Sequence, residues 1–186
     1  MSDRHAIVAW HDVGVPLTGS LLVASPKLTD PNFAMTVVMM IHHDDDGAVG
    51  VILNRPTSLS VDRLPAGWTT DDPVYSGGPV DPEMAIGIVE SPDDHEAWER
   101  VVDRLWLADL DGPPAPVSRI RIFSGYAGWG AGQVESELER GDWIVSTASS
   151  DDVFTTSPDD LWRSVMRRQP GAARLLATYP VDPSLN

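Results

Sequence analysis

Residues 36–53 read TVVMMI-HHDDDG-AVGVIL, and this stretch decides the fold. Residues 36–41 are continuously apolar and partly β-branched, which suits a strand buried on both faces. Asp45-Asp46-Gly47 is a hairpin turn signal, and residues 48–53 supply the returning strand. An antiparallel hairpin is therefore the centre of the expected fold.

Upstream, residues 19–24 (GSLLVA) read as a strand stopped by Ser25-Pro26, and Asp30-Pro31-Asn32-Phe33 as a turn or a single helical turn. Downstream, Val74-Tyr75-Ser76 runs into Gly77-Gly78-Pro79-Val80, and residues 84–89 (MAIGIV) form another strand. Residues 95–102 have helical content, with Trp98, Val101 and Val102 near helical spacing; residues 105–110 (LWLADL) are read as a strand. Residues 119–123 (RIRIF) alternate basic and apolar, the period-two mark of a half-buried strand. A helix is expected over residues 131–140, stopped by Gly141 in a left-handed cap, and residues 143–146 (WIVS) form a short strand. A second helix opens at Ser157-Pro158-Asp159-Asp160, with Ser157 as N-cap and Pro158 at the first helical position. Its apolar stripe is Leu161, Trp162, Val165 and Met166; Arg167 and Arg168 complement its end, and Gly171 stops it.

Length and composition fit one domain of mixed α and β structure. The chain has 186 residues, and 42% of them are hydrophobic, enough to build a core. The net charge is −15, with one lysine, Lys27. That disfavours direct nucleic-acid binding, which needs a basic footprint, and an anionic membrane surface. There are no cysteines, so disulfides, thiolate metal sites and a cysteine nucleophile are excluded. The N-terminal residues carry no apolar signal core, and no apolar run reaches the roughly 18 residues of a membrane span. The cytoplasm is the expected location.

The richest chemical segment is Ser124-Gly125-Tyr126-Ala127-Gly128-Trp129-Gly130-Ala131-Gly132-Gln133, read as a strand-to-helix turn. Glycines there allow close backbone approach, and a helix N-terminus suits an anion. It is neither a P-loop nor a dinucleotide fingerprint, since no Gly-Lys-Ser/Thr follows and the frame from Gly128 ends on Gln133. A tight packing turn and a ligand-contacting loop both remain open. Arg55, after Asn54, is suited to a carboxylate or phosphate, or to an internal ion pair. His42-His43-Asp44-Asp45-Asp46 reads as a strand end and a solvated turn, because adjacent strand residues point to opposite faces. His5, His11 and His95 are isolated. No metal or cofactor is assigned, and no nucleophile signature is present.

Four blocks, GSLLVASPKLTDPNF (19–33), GAVGVILNRP (47–56), YSGGPV (75–80) and SGYAGWGAGQVESEL (124–138), together resemble the YqgE/AlgH family of bacterial proteins over about residues 17–170. The resemblance implies an α/β (α+β) fold: one compact domain with a mixed, largely antiparallel, barrel-like sheet flanked by helices. It also implies a cytoplasmic protein without an established activity, carrying a regulatory label. Matching positions are Asn54, Arg55, Gly77, Gly78, Pro79, Tyr126, Gly128, Trp129, Gly130, Gly132, Gln133 and Glu135. Arg104 stands where such chains often have a turn glycine, and residues 57–72 are less regular than the helix expected there.

The expected ligand-binding set is Asn54, Arg55, Gly77, Gly78, Tyr126, Gly128, Trp129, Gly130 and Gln133. The leading functional reading is a non-enzymatic protein that binds a small molecule or a protein partner. A hydrolase of phosphorylated or nucleotide substrates and a nucleic-acid-binding regulator are the rivals.

Overall fold

The computed structural model describes residues 16–60 and 67–179. His5 and His11 lie outside these residues. The expected hairpin is present. Strand β2 (Val37–Asp44) pairs antiparallel with β3 (Gly47–Ile52), and Val37 through Ile41 are all buried. Asp44 Oδ1 accepts the Asp46 and Gly47 amides at 2.9 and 3.2 Å, which closes the turn. Gly47 has φ 147°, and a Cβ there would lie 2.3 Å from the Trp129 carbonyl oxygen. The turn thus ends on a residue that only glycine can supply.

Strand β1 (Ser20–Ala24) pairs with β2 on one edge and with β9 (Trp143–Thr147) on the other. On the far side of β3 comes β8 (Arg119–Gly130), then β5 (Val80–Glu90), β7 (Leu105–Ala108) and β6 (Glu99–Val102). Two-residue β4 (Tyr75–Ser76) is parallel to β8; every other pairing is antiparallel. The nine strands form one curled half-barrel whose path ends at β6 and β9. Helices α1 (Gln133–Glu139), α2 (Ser150–Val153) and α3 (Pro158–Arg167) and a 3-10 segment (Gly171–Thr178) pack around it. Among the described residues no helix is long and apolar enough to cross a membrane.

Helix α3 carries the expected stripe. Leu161, Trp162, Val165 and Met166 are buried against one sheet face, and Trp162 Nε1 donates to the Ala24 carbonyl at 2.8 Å. Pro158 takes the early helical position, but Ser157 makes no capping bond through its side chain. The helix ends at Arg167, before Gly171, which instead opens the 3-10 segment at φ 63°. Arg168 turns away from the helix end and grips both oxygens of Asp152 at 2.7 and 2.6 Å. Gly141 ends α1 at φ 74°, as its sequence position predicts.

Two further expectations, about whole segments, fail. The helical content expected over residues 95–102 is replaced by a turn followed by β6. Trp98 packs with Trp68 in one cluster while Val101 packs in another, on the opposite sheet face. A helical stripe cannot serve two faces; an extended chain can. Arg104 follows Asp103 in the two-residue turn to β7, with Asp103 taking the left-handed backbone at φ 48°.

The second correction concerns the glycine-rich segment. It is not a strand-to-helix turn: β8 runs unbroken to Gly130. Gly125, at φ 70°, lets the strand shift register and change partners, from β5 and β4 to β3. Arg121 likewise departs from a half-buried pattern, because both faces of β8 are covered there and it is 2% exposed.

Gly77 fixes this crossing. An added Cβ would lie 2.2 Å from the Gly125 carbonyl oxygen, a backbone atom that cannot yield. Gly130 has open space around its Cβ position. Gly77→Ala should therefore destabilise the protein by about 3 kcal/mol or more, and Gly130→Ala should stay within about 0.5 kcal/mol. Urea denaturation of both variants checks this; equal effects would refute the close-approach account.

Candidate functional site

The glycine-tryptophan motif closes the end of β8 onto α1. Trp129 Nε1 and Trp143 Nε1 both donate to Glu137 Oε2 at 2.8 Å. The two indoles meet edge to face at 6.1 Å, and Phe33 packs against both. Gln133 Nε2 donates to Glu137 Oε1 at 3.0 Å, and Gln133 Oε1 accepts the Gly130 amide at 3.1 Å. Glu137 is thus the hub that joins Trp129, Gly130 and Gln133. Sequence reasoning missed it, although its i,i+4 spacing from Gln133 on an expected helix was a usable signal.

Gly77 and Gly78 lie against the backbone of β8. A Cβ on Gly78 would fall 2.1 Å from the Tyr126 carbonyl carbon. Asn54 is a clamp: its Oδ1 accepts the Val37 amide at 3.0 Å and its Nδ2 donates to the Met35 carbonyl at 2.9 Å. Arg55 donates to the carbonyls of Pro31 and Ala34 at 3.3 and 3.2 Å, and so holds the turn that carries Phe33. Gly128 pairs with Val49 and is itself exposed, between buried Ala127 and Trp129. Tyr126 packs with the cluster under α3, whereas Trp129 belongs to the cluster under α1. The nine expected residues therefore lie along β8 and the segments that pack on it, and Tyr126 and Trp129 face opposite sides of the sheet.

The two adjacent histidines also face opposite ways. His42 meets Asp44 at 2.9 Å, a bond that holds the Asp44 carboxyl below its usual range. His43 Nδ1 accepts the Leu17 amide at 2.9 Å, so neutral His43 carries its proton on Nε2 and donates it to Glu135 Oε1 at 2.6 Å.

An open cleft lies elsewhere, at the other end of β8. It has a volume of 490 Å³ and is bordered by residues 67–72, by Pro114 and Ala115, by residues 117–121, and by Phe154 and Thr156. Its walls come from both sheet faces: Phe154 belongs to the cluster under α3, whereas Ala115 and Val117 pack on the tryptophan-rich cluster. It therefore straddles the edge of β8. Among the described residues, residues 119–122 pair only with β5; β4 covers residues 123–124 and β3 covers residues 127–130. This four-residue edge has no second strand.

Two arginines sit there. Arg119 Nε donates to Glu90 at 2.8 Å and its Nη1 to Asp151 at 3.1 Å, with the guanidinium over the Phe154 ring. The Arg119 hydrogen bond holds the Glu90 carboxyl below its usual range, and Glu90 in turn raises Arg119. Arg121 donates through Nη1 to the Val153 carbonyl at 2.7 Å and through Nη2 to Asp72 at 2.8 Å, and stacks on Tyr75 at 4.3 Å. Its Nε is buried and has no partner among the described residues. Burial pushes the Tyr75 hydroxyl above its usual range, so it stays protonated and neutral at physiological pH.

Glu137→Ala would strand two indole N–H groups and should destabilise the protein by about 3 kcal/mol. Exposed Glu139→Ala should do almost nothing, and urea denaturation followed by tryptophan fluorescence separates the two cases. Glu90 titrates below its unfolded value of about 4.5. Its pairing is therefore fully stabilising above that pH and is lost as pH falls through the folded value. Stability measured between about pH 3 and pH 7 should fall less steeply on the acid side in Arg119→Gln than in the wild type. Parallel curves would remove Glu90 as a source of acid sensitivity.

A family model described as AlgH-like matches residues 21–174. A UPF0301 protein of Streptomyces coelicolor is 46% identical over 184 residues, covering 91% of this chain and 95% of its own length. One from Rhodococcus erythropolis is 42% identical over 192 residues, with 96% and 95% covered. A crystal structure of a Corynebacterium diphtheriae protein superposes with TM-score 0.80 at 30% identity, over 89% of this chain and 93% of that one. The solution structure of the AlgH protein from Pseudomonas aeruginosa does so with TM-score 0.66 at 27% identity, over 90% and 96%. The four blocks, the half-barrel and these relatives agree: the chain belongs to the AlgH-like family of UPF0301 proteins.

Proposed function

We propose that this chain is a non-enzymatic binding protein that receives an extended segment of a partner protein along the open edge of β8. The observation that carries the reading is the coincidence of that edge, residues 119–122, with the 490 Å³ cleft. An unpaired strand edge presents a row of N–H and C=O groups, and adding a strand to it is a recurrent mode of peptide recognition. Four residues of strand span about 14 Å, a short footprint that suits a transient regulatory contact. Working through a protein partner also fits a net charge of −15, which opposes binding to phosphate backbones. The cytoplasm is the compartment this reading assumes.

In this reading the family-block residues Asn54, Arg55, Gly77, Gly78, Trp129, Gly130 and Gln133 hold the frame that keeps the edge open. Native-state hydrogen exchange tests it on the free protein. The amides of residues 119–122 that point away from β5 should exchange far faster than those of residues 123–124. Uniform protection across residues 119–124 would mean that the edge is already filled, and would end this reading.

A further inference from the structure

Resting on that peptide-binding reading, we infer that the segment received along β8 presents a carboxylate to Arg121, so that the ligand is an acidic extended peptide. Arg121 is 2% exposed and stands on the strand whose edge is open. A guanidinium offers Nε–H and Nη2–H in parallel along one edge, the geometry that a carboxylate accepts with both oxygens. Asp72 takes the Nη2 half at 2.8 Å, and the Nε half is a buried donor with no acceptor among the described residues. The recognition edge is therefore half used.

The occupant of the used half is the replaceable one. Asp72 is 43% exposed at its side chain and lies on the segment that borders the cleft, so it can turn to water. Arg121 cannot: Tyr75 stacks on its face and the Val153 carbonyl holds Nη1. A ligand carboxylate that displaces Asp72 keeps the buried cation neutralised and also satisfies Nε. Exchanging one carboxylate for another avoids leaving an uncompensated buried charge. Arg119 is not the receiver, because its Nε already donates to Glu90, whose side chain is only 13% exposed.

The test titrates the full chain, labelled with nitrogen-15, with acetylated Thr-Glu-Val-Thr and Thr-Gln-Val-Thr peptides, both amidated at the C-terminus. A third peptide, Thr-Gln-Val-Thr with a free C-terminal carboxylate, separates a side-chain from a terminal carboxylate. At least one carboxylate peptide should bind about tenfold or more tightly than the amidated Gln peptide. It should also move the Arg121 Nε–H resonance, and Asp72→Asn should strengthen its binding further. Arg121→Lys should lower it to the level of the Gln peptide. Because that variant loses buried hydrogen bonds and risks unfolding, the wild-type resonance and Asp72→Asn carry the decision. Equal binding of all three peptides with an unmoved resonance would overturn the carboxylate inference and leave the open-edge reading standing. No binding by any peptide would overturn the inference, and protected amides at residues 119–122 would then remove the open-edge reading as well.

Discussion

The architecture depends on one close approach of backbone to backbone. Gly77 and Gly78 pass β8 at distances that leave no room for a Cβ, and Gly125 takes the left-handed conformation at the same crossing. This lets one long strand serve two halves of the sheet: β8 leaves β5 and β4 and continues with β3. Without the crossing the curl of the half-barrel would have no pivot, because β3 and β5 would have no common neighbour. Among the described residues, the same geometry leaves the first residues of β8 without a second strand, since β4 is only two residues long. The open edge and the tight crossing therefore have a single cause.

A second constraint is the treatment of buried polar groups. Glu137 accepts two indole N–H groups and a glutamine amide, and so converts a cluster of aromatic rings into a fixed corner. Asn54 does the same with backbone groups at the start of β2. Arg121 differs from both. Its surroundings satisfy the cation through Asp72 and Val153 and the ring of Tyr75, yet leave one donor unused. Folded proteins rarely leave such a donor unpaired.

Local signals made the hairpin, α3 and its stripe, and the glycine stop of α1 legible in the sequence, because turn chemistry and periodicity act over few residues. Strand β6 was not legible. Trp98 and Val101 sit at a spacing that suits one helix face, and only the tertiary contacts of each reveal that they serve opposite sides of a sheet. The continuation of β8 was hidden for a related reason. A run of glycines reads as a loop when its neighbours are unknown, whereas here the neighbours are backbones that demand glycine. At the candidate site, Arg121 was visible only as one residue of an alternating strand; its burial follows from Asp72 and Val153, which lie 49 and 32 residues away in sequence.

Residues of the four blocks that mark the family build a frame. Their polar atoms are held mainly by one another and by nearby backbone: Asn54 by Val37 and Met35, Arg55 by the turn at Pro31 and Ala34, Gln133 by Gly130 and Glu137. Asn54 and Gln133, held in this way, must break a bond before they can engage a ligand, whereas the Nε of Arg121, without a partner among the described residues, need break none of its own. The proposed binding requires that Asp72 move, and Asp72 is the exposed partner of its pair. A motif that fixes where β8 crosses its partners can thus set the shape of the proposed site, which contains none of the motif's own side chains.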